Sequence, residues 1–118
     1  MARRAIVALA LAALIIALAG CGGGNDNKAQ ALDATPAKGV TKVQMHNLKF
    51  APAVIEVPAG TTVTWEFTDG SVPHNVSGQG YTSPTQARGT FTHRFAQAGT
   101  YDYRCTLHTG MQGRVIVK

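Results

Sequence analysis

Between Tyr101 and Gly113 the chain sets a cysteine, a histidine and a methionine into one alternating run and the turn that follows it, and this stretch constrains the fold more than any other. Tyr101, Tyr103 and Cys105 recur at the period of a strand, so a strand running into Cys105 aims its sulfur inward. His108 and Met111 follow at intervals of three, and Gly110 lets the loop turn tightly back. A thiolate, an imidazole and a weak thioether are three of the four ligands of a blue copper site, whose remaining equatorial position takes a second histidine. The motif therefore asks for a strand end that meets a histidine from another part of the chain.

The same residues admit other readings. Cysteine and histidine three apart also open many zinc sites, but structural zinc needs a second ligand pair, and the chain's other cysteine is Cys21. A free thiol beside a surface histidine and a core methionine would account for the letters without any metal. Against that, an unpaired cysteine in an exported protein calls for a chemical role.

Export is indicated by residues 1–20: Arg3 and Arg4, an apolar run from Ala5 to Ala19, then Leu18-Ala19-Gly20-Cys21. The apolar run is fifteen residues long, short of the roughly twenty that a membrane span needs. The pattern resembles a bacterial lipoprotein signal, which implies that Cys21 is lipidated, becomes the mature N-terminus and holds the protein to a bacterial membrane on its periplasmic or cell-surface side. Without Arg3 and Arg4, nine of the eleven basic residues face six acidic ones, a formal charge of +3. The remaining basic residues are scattered, which gives nucleic-acid binding little support but leaves an acidic redox partner or anionic lipid open.

Residues 21–39 lack apolar periodicity and are rich in Gly, Asn, Asp and Ala, the composition of a flexible tether. The folded domain is expected over residues 40–118, enough for one small core. Val43 and Met45 alternate with Lys42, Gln44 and His46, marking a first strand with His46 outward. Val54 to Val57, then Val63, Trp65 and Phe67, make two more strands around the Pro58-Ala59-Gly60 turn. Residues 78–89 have no period and are expected as a surface excursion. Phe91 to Phe95, the run into Cys105, and Gly113 to Val117 complete the pattern. Seven to eight short strands with no helix after the leader predict an all-β fold, an antiparallel Greek-key sandwich.

Three histidines compete for the vacant ligand position. His46 lies on the polar face of the first strand, where a solvated role suffices. His93 shares a strand face with Phe91 and Phe95, as a partly buried core histidine would. His74 follows a loop directly and is stiffened by Pro73, at an end of the sandwich where sites are commonly built, so it is the strongest candidate.

With Phe50-Ala51-Pro52, Pro58 to Trp65, Pro73-His74-Asn75-Val76, Gly99 to Cys105 and His108 to Gly113 in view, residues 40–118 resemble the cupredoxins, the plastocyanin and amicyanin family of small blue copper proteins. The two-residue spacer between His108 and Met111 resembles amicyanin's. The resemblance implies one type 1 copper held by His74, Cys105, His108 and Met111. It also implies that Asn75 and Thr106 bridge the two ligand loops and steady the thiolate, beside Pro73. It further implies an electron carrier, not an enzyme, that works as a monomer with a redox partner protein. A copper-delivery protein is the alternative, although one thiolate with ligands on two loops suits retention better than release. Plastocyanin's acidic docking patch has no counterpart here, so its partner does not transfer.

Overall fold

The computed structural model describes residues 29–118, so the expected leader and the lipidation site Cys21 lie outside the described residues. Ten strands follow one another: β1 (Ala37–Lys38), β2 (Lys42–His46), β3 (Lys49–Ala51), β4 (Val54–Val57), β5 (Thr61–Phe67), β6 (Ser77–Gly78), β7 (Tyr81–Thr82), β8 (Thr90–Phe95), β9 (Gly99–Arg104) and β10 (Gln112–Val117). They form a six-stranded sheet in the order β1-β4-β10-β9-β6-β7 and a four-stranded sheet in the order β3-β2-β5-β8. No helix occurs among the described residues.

The sheets are mixed where an antiparallel sandwich was expected: β1 with β4, β4 with β10 and β2 with β5 run parallel. The chain leaves the smaller sheet after β3, contributes β4 to the larger one and returns as β5, so β5 lands beside β2 in the same direction. Alternation in the sequence carries no strand direction, and that part was invisible there. The count exceeds the expected seven to eight because β1, β6 and β7 are two-residue strands with no period to detect.

The alternating residues do face inward. Val43, Met45, Val63, Trp65, Val115 and Val117 are buried, while His46 is exposed. Trp65 stands at the centre, with ring centroids 5.2 Å from Tyr103, 5.9 Å from Tyr81 and from Phe91, and 6.3 Å from Phe95. Burying rings of this size is the largest apolar contribution a core this small can draw on. Two glycines make room for them. A side-chain carbon at Gly113 would overlap the ring of its cross-strand partner Tyr103, and one at Gly78 would overlap that of Tyr81.

The expected surface excursion over residues 78–89 holds a small hairpin, β6 with β7, and its Tyr81 ring packs on Trp65. The expected tether is also shorter than drawn, because part of it is bound to the sandwich. The Gln30 side-chain amide donates to Phe50 O and accepts from Phe50 N–H, both at 2.9 Å. Its N–H donates to Gly110 O at 2.9 Å, its carbonyl accepts from Gln112 Nε2 at 2.9 Å, and Leu32 O accepts from Arg114 at 3.0 Å. Side-chain amides and a two-residue strand, not an apolar stripe, hold residues 30–38, which is why composition read them as loose.

Candidate metal centre

At one end of the sandwich the smaller sheet finishes with β5 and the larger with β9, and the loops that follow converge. The segment after β5 carries Asp69, Pro73, His74 and Asn75, and the β9–β10 connection carries Cys105, Thr106, His108 and Met111. His74 is fixed on its backbone by paired hydrogen bonds with Gln86, each 3.0 Å, and is fully buried. Cys105 N–H donates to Met111 O at 2.9 Å and Met111 N–H to His108 O at 3.2 Å, so the second loop closes on itself. The two loops are tied by Asn75 and Thr106: Asn75 Nδ2 donates to Thr106 Oγ1 at 2.7 Å, and Thr106 N–H donates to Asn75 Oδ1 at 2.8 Å.

The side-chain donors meet between the loops. One nitrogen each from His74 and His108 and the sulfur of Cys105 all lie within 4.8 Å of one another. Cys105 Sγ is 3.8 Å from His74 Nδ1, and the two imidazole centroids are 4.7 Å apart. Cys105 and Met111 are buried and His108 is half-exposed. Cys105, His108 and Met111 line a depression of about 250 Å³ together with Arg104, Thr106 and Gly110.

Hydrogen bonding sets which nitrogen of each imidazole is free. His74 Nε2 lies 2.9 Å from Asp69 Oδ2, and His108 Nε2 lies 3.0 Å from Pro73 O. A carboxylate and a carbonyl only accept, so in its neutral form each ring carries its proton on Nε2 and keeps the Nδ1 lone pair for a ligand. Two nitrogen lone pairs, one sulfur and a buried thioether are a soft mixed set that fits copper and offers magnesium or calcium nothing.

Asp69 is the residue that sequence reasoning passed over, since Asp69-Gly70 reads as a turn. Besides His74, its carboxylate accepts the N–H groups of Asn47 at 3.1 Å and Leu48 at 3.0 Å. Asn47 and Leu48 sit at φ 50° and 58°, in the left-handed region, where a leucine needs such support. The Leu48 N–H, above all, with the His74 and Asn47 contacts, holds the Asp69 carboxyl below the usual carboxylate range against the opposing effect of burial. Neither of the other candidates joins the group. His46 is exposed at the end of β2, and His93 stacks on Tyr81 with ring centroids 4.1 Å apart.

The chain has recognisable relatives. The cupredoxin-like domain profile matches residues 7–117. Amicyanin-alpha from Methylorubrum extorquens is 34% identical over 119 residues, covering 94% of this chain and 98% of that protein. Amicyanin from Paracoccus denitrificans is 32% identical, covering 92% of each. Among solved structures, a purple cupredoxin from Nitrosopumilus maritimus superposes with a TM-score of 0.62 at 31% identity, covering 67% of this chain and all of that one.

Proposed function

The chain belongs to the cupredoxin-like domain family, and from that premise we propose that it carries single electrons outside the cytoplasm, with one copper ion held by His74, Cys105, His108 and Met111. The observation that carries this reading is the commitment of both Nε2 atoms, to Asp69 and to the Pro73 carbonyl, which leaves each ring its Nδ1 lone pair, that of His74 being 3.8 Å from the buried Cys105 sulfur. Copper bound there would supply one-electron exchange between Cu(II) and Cu(I). The chain supplies fixed donors: a loop closed on its own backbone, a buried histidine, and the Asn75–Thr106 bridge between them. Donors that move little when the charge changes favour fast electron exchange.

Chemistry on a substrate would need an open coordination position with an acid or base beside it. In this reading four donors fill the site, and Asp69, the carboxylate that reaches a ligand, is already engaged by His74 and two backbone N–H groups. Delivery of copper to an acceptor is disfavoured by the burial of Cys105 and His74, which makes exchange through open ligands slow.

The test is direct. Cu(II) added to the reduced chain should give an intense blue sulfur-to-copper absorption band that Cys105→Ser abolishes, and a colourless complex would refute the assignment. The loaded chain should exchange electrons rapidly with small redox reagents and keep its metal against a moderate Cu(I) chelator. Rapid loss to the chelator would favour delivery.

A further inference from the structure

The acidic side chains of the described region are matched where they stand. Glu56 meets Lys38 at 3.7 Å and Lys118 at 3.2 Å, Glu66 meets Lys42 at 3.4 Å, and Asp102 takes a forked contact from Arg114. Asp33 acts on that same Arg114 guanidinium, and Asp69 is occupied by His74 and two N–H groups. Among the described residues this leaves Lys49, Arg88, Arg94 and Arg104 without a carboxylate partner. Arg94 lies toward the other end, its guanidinium beside Gly60.

The other three surround the metal end. Lys49 opens β3, one edge of the smaller sheet, directly after the turn whose N–H groups bind Asp69. Arg88 precedes β8, the opposite edge of that sheet. Its carbonyl accepts from Gln86 Nε2, and Gln86 pairs with His74. Arg104 ends β9 in the larger sheet and lines the depression with Cys105 and His108. All three are exposed. Two exposed apolar side chains share these segments: Leu48, directly before Lys49, and Leu107, directly before His108, are each 47% exposed, and no other large apolar residues are so open among the described ones.

We propose that this end, with Leu48 and Leu107 rimmed by Lys49, Arg88 and Arg104, docks a redox protein whose own electron port is rimmed by carboxylates. This rests on the electron-carrier reading and adds the partner's chemistry to it. The apolar side chains give up water at the centre of the contact, and the three cations steer an acidic surface toward the half-exposed His108 from three sides. The steering is screened by salt, because the Debye length is about 10 Å at 0.1 M.

Two arms test it on the full chain. Electron exchange of the copper-loaded chain with hexacyanoferrate(III) should slow as salt rises, and exchange with tris(phenanthroline)cobalt(III) should quicken. The combined variant Lys49→Glu, Arg88→Glu, Arg104→Glu should cut the low-salt hexacyanoferrate rate by about tenfold or more and reverse its salt dependence. Lys118→Glu should leave it unchanged. In the second arm, polyglutamate added to the copper-free chain should shift the amide NMR signals of Leu48, Lys49, Arg88, Arg104 and Leu107. Salt-independent rates with both oxidants, or shifts confined to the Lys42 and Lys118 regions, overturn the proposal. Binding of the Cys21→Ala chain to phosphatidylglycerol vesicles that the combined variant abolishes, with no polyglutamate shifts, would assign the rim to lipid and also overturn it. A chain that forms no blue complex defeats the carrier reading alone, and the copper-free arm still decides the docking surface.

Discussion

Asp69 Oδ2 and His74 Nε2 lie 2.9 Å apart, and through this contact the turn between β2 and β3 is joined to a ligand of the metal centre. The same carboxylate holds Asn47 and Leu48 in left-handed backbone, so it both shapes that turn and fixes the proton of His74 on the nitrogen facing away from Cys105. Removing it should act on both. Asp69→Ala should lower the stability of the copper-free chain to urea by about 1–3 kcal/mol. In the copper form it should broaden the EPR spectrum, because His74 gains a second orientation. Asp69→Asn keeps a single acceptor oxygen, enough for Leu48 N–H and His74 Nε2 but facing Asn47 N–H with an NH2 group, so it restores only part of the loss. A spectrum identical to the parent's would remove Asp69 from the positioning role.

Gly113→Ala places a methyl group where the Tyr103 ring lies. The neighbour is a buried ring against Trp65 and Phe50, with little freedom to move. Overpacking of this kind costs about 1–3 kcal/mol, read from the midpoint of denaturant unfolding with unchanged slope. The added carbon would meet the Tyr103 hydroxyl as closely as the ring carbon that bears it, so the paired variant Gly113→Ala, Tyr103→Phe should recover part of the loss and leave the part owed to the ring. Complete recovery, or none, would contradict that account.

His93 sits half-buried against Tyr81, and burial lowers its pKa from the ordinary histidine value. For a base, a lowered folded-state pKa means that the unfolded chain takes up the proton first. Its contribution is therefore intact above the unfolded value of about 6.5 and is lost as pH falls through the lower folded value. Urea unfolding of the copper-free chain at several pH values, compared with His93→Phe, should show a parent whose stability falls more steeply on acidification. Parallel curves would mean that His93 does not titrate differently in the two states.

The anchor has its own test. If Cys21 is lipidated, Cys21→Ala should leave a precursor that keeps residues 1–20 and takes up no labelled palmitate, while the parent takes up the label. Each buried acyl methylene contributes about 0.8 kcal/mol, so several chains would hold the parent firmly. A parent that takes up no more label than the variant would dismiss the lipid.

What the sequence made legible were features that burial writes as a period. Val43 and Met45, Val63 to Phe67, and Val115 and Val117 announced strands and their inner faces, and Cys105, His108 and Met111 announced themselves by ligand type and spacing. What stayed hidden is held by polar contacts that leave no period: Gln30 clasping Phe50, the Asp69 clamp, the Gln86 pair with His74, and the β6–β7 hairpin. Strand direction was hidden too, because β2 and β5 would alternate identically had they run antiparallel. The choice of His74 over His93 depended on Pro73 and the loop before it, and His93 found its place against Tyr81 instead.

The clasp at Gln30 sets a leash length. Its N–H binds Gly110 in the ligand loop itself, so the chain leaves the sandwich from the metal end. Eight residues lie between Cys21 and Gln30, and even fully drawn out the nine steps from one to the other span no more than about 32 Å. A molecule fastened at Cys21 would hold its electron port within that radius of the bilayer, sweeping a thin shell over the membrane where it meets partners fixed in the same surface.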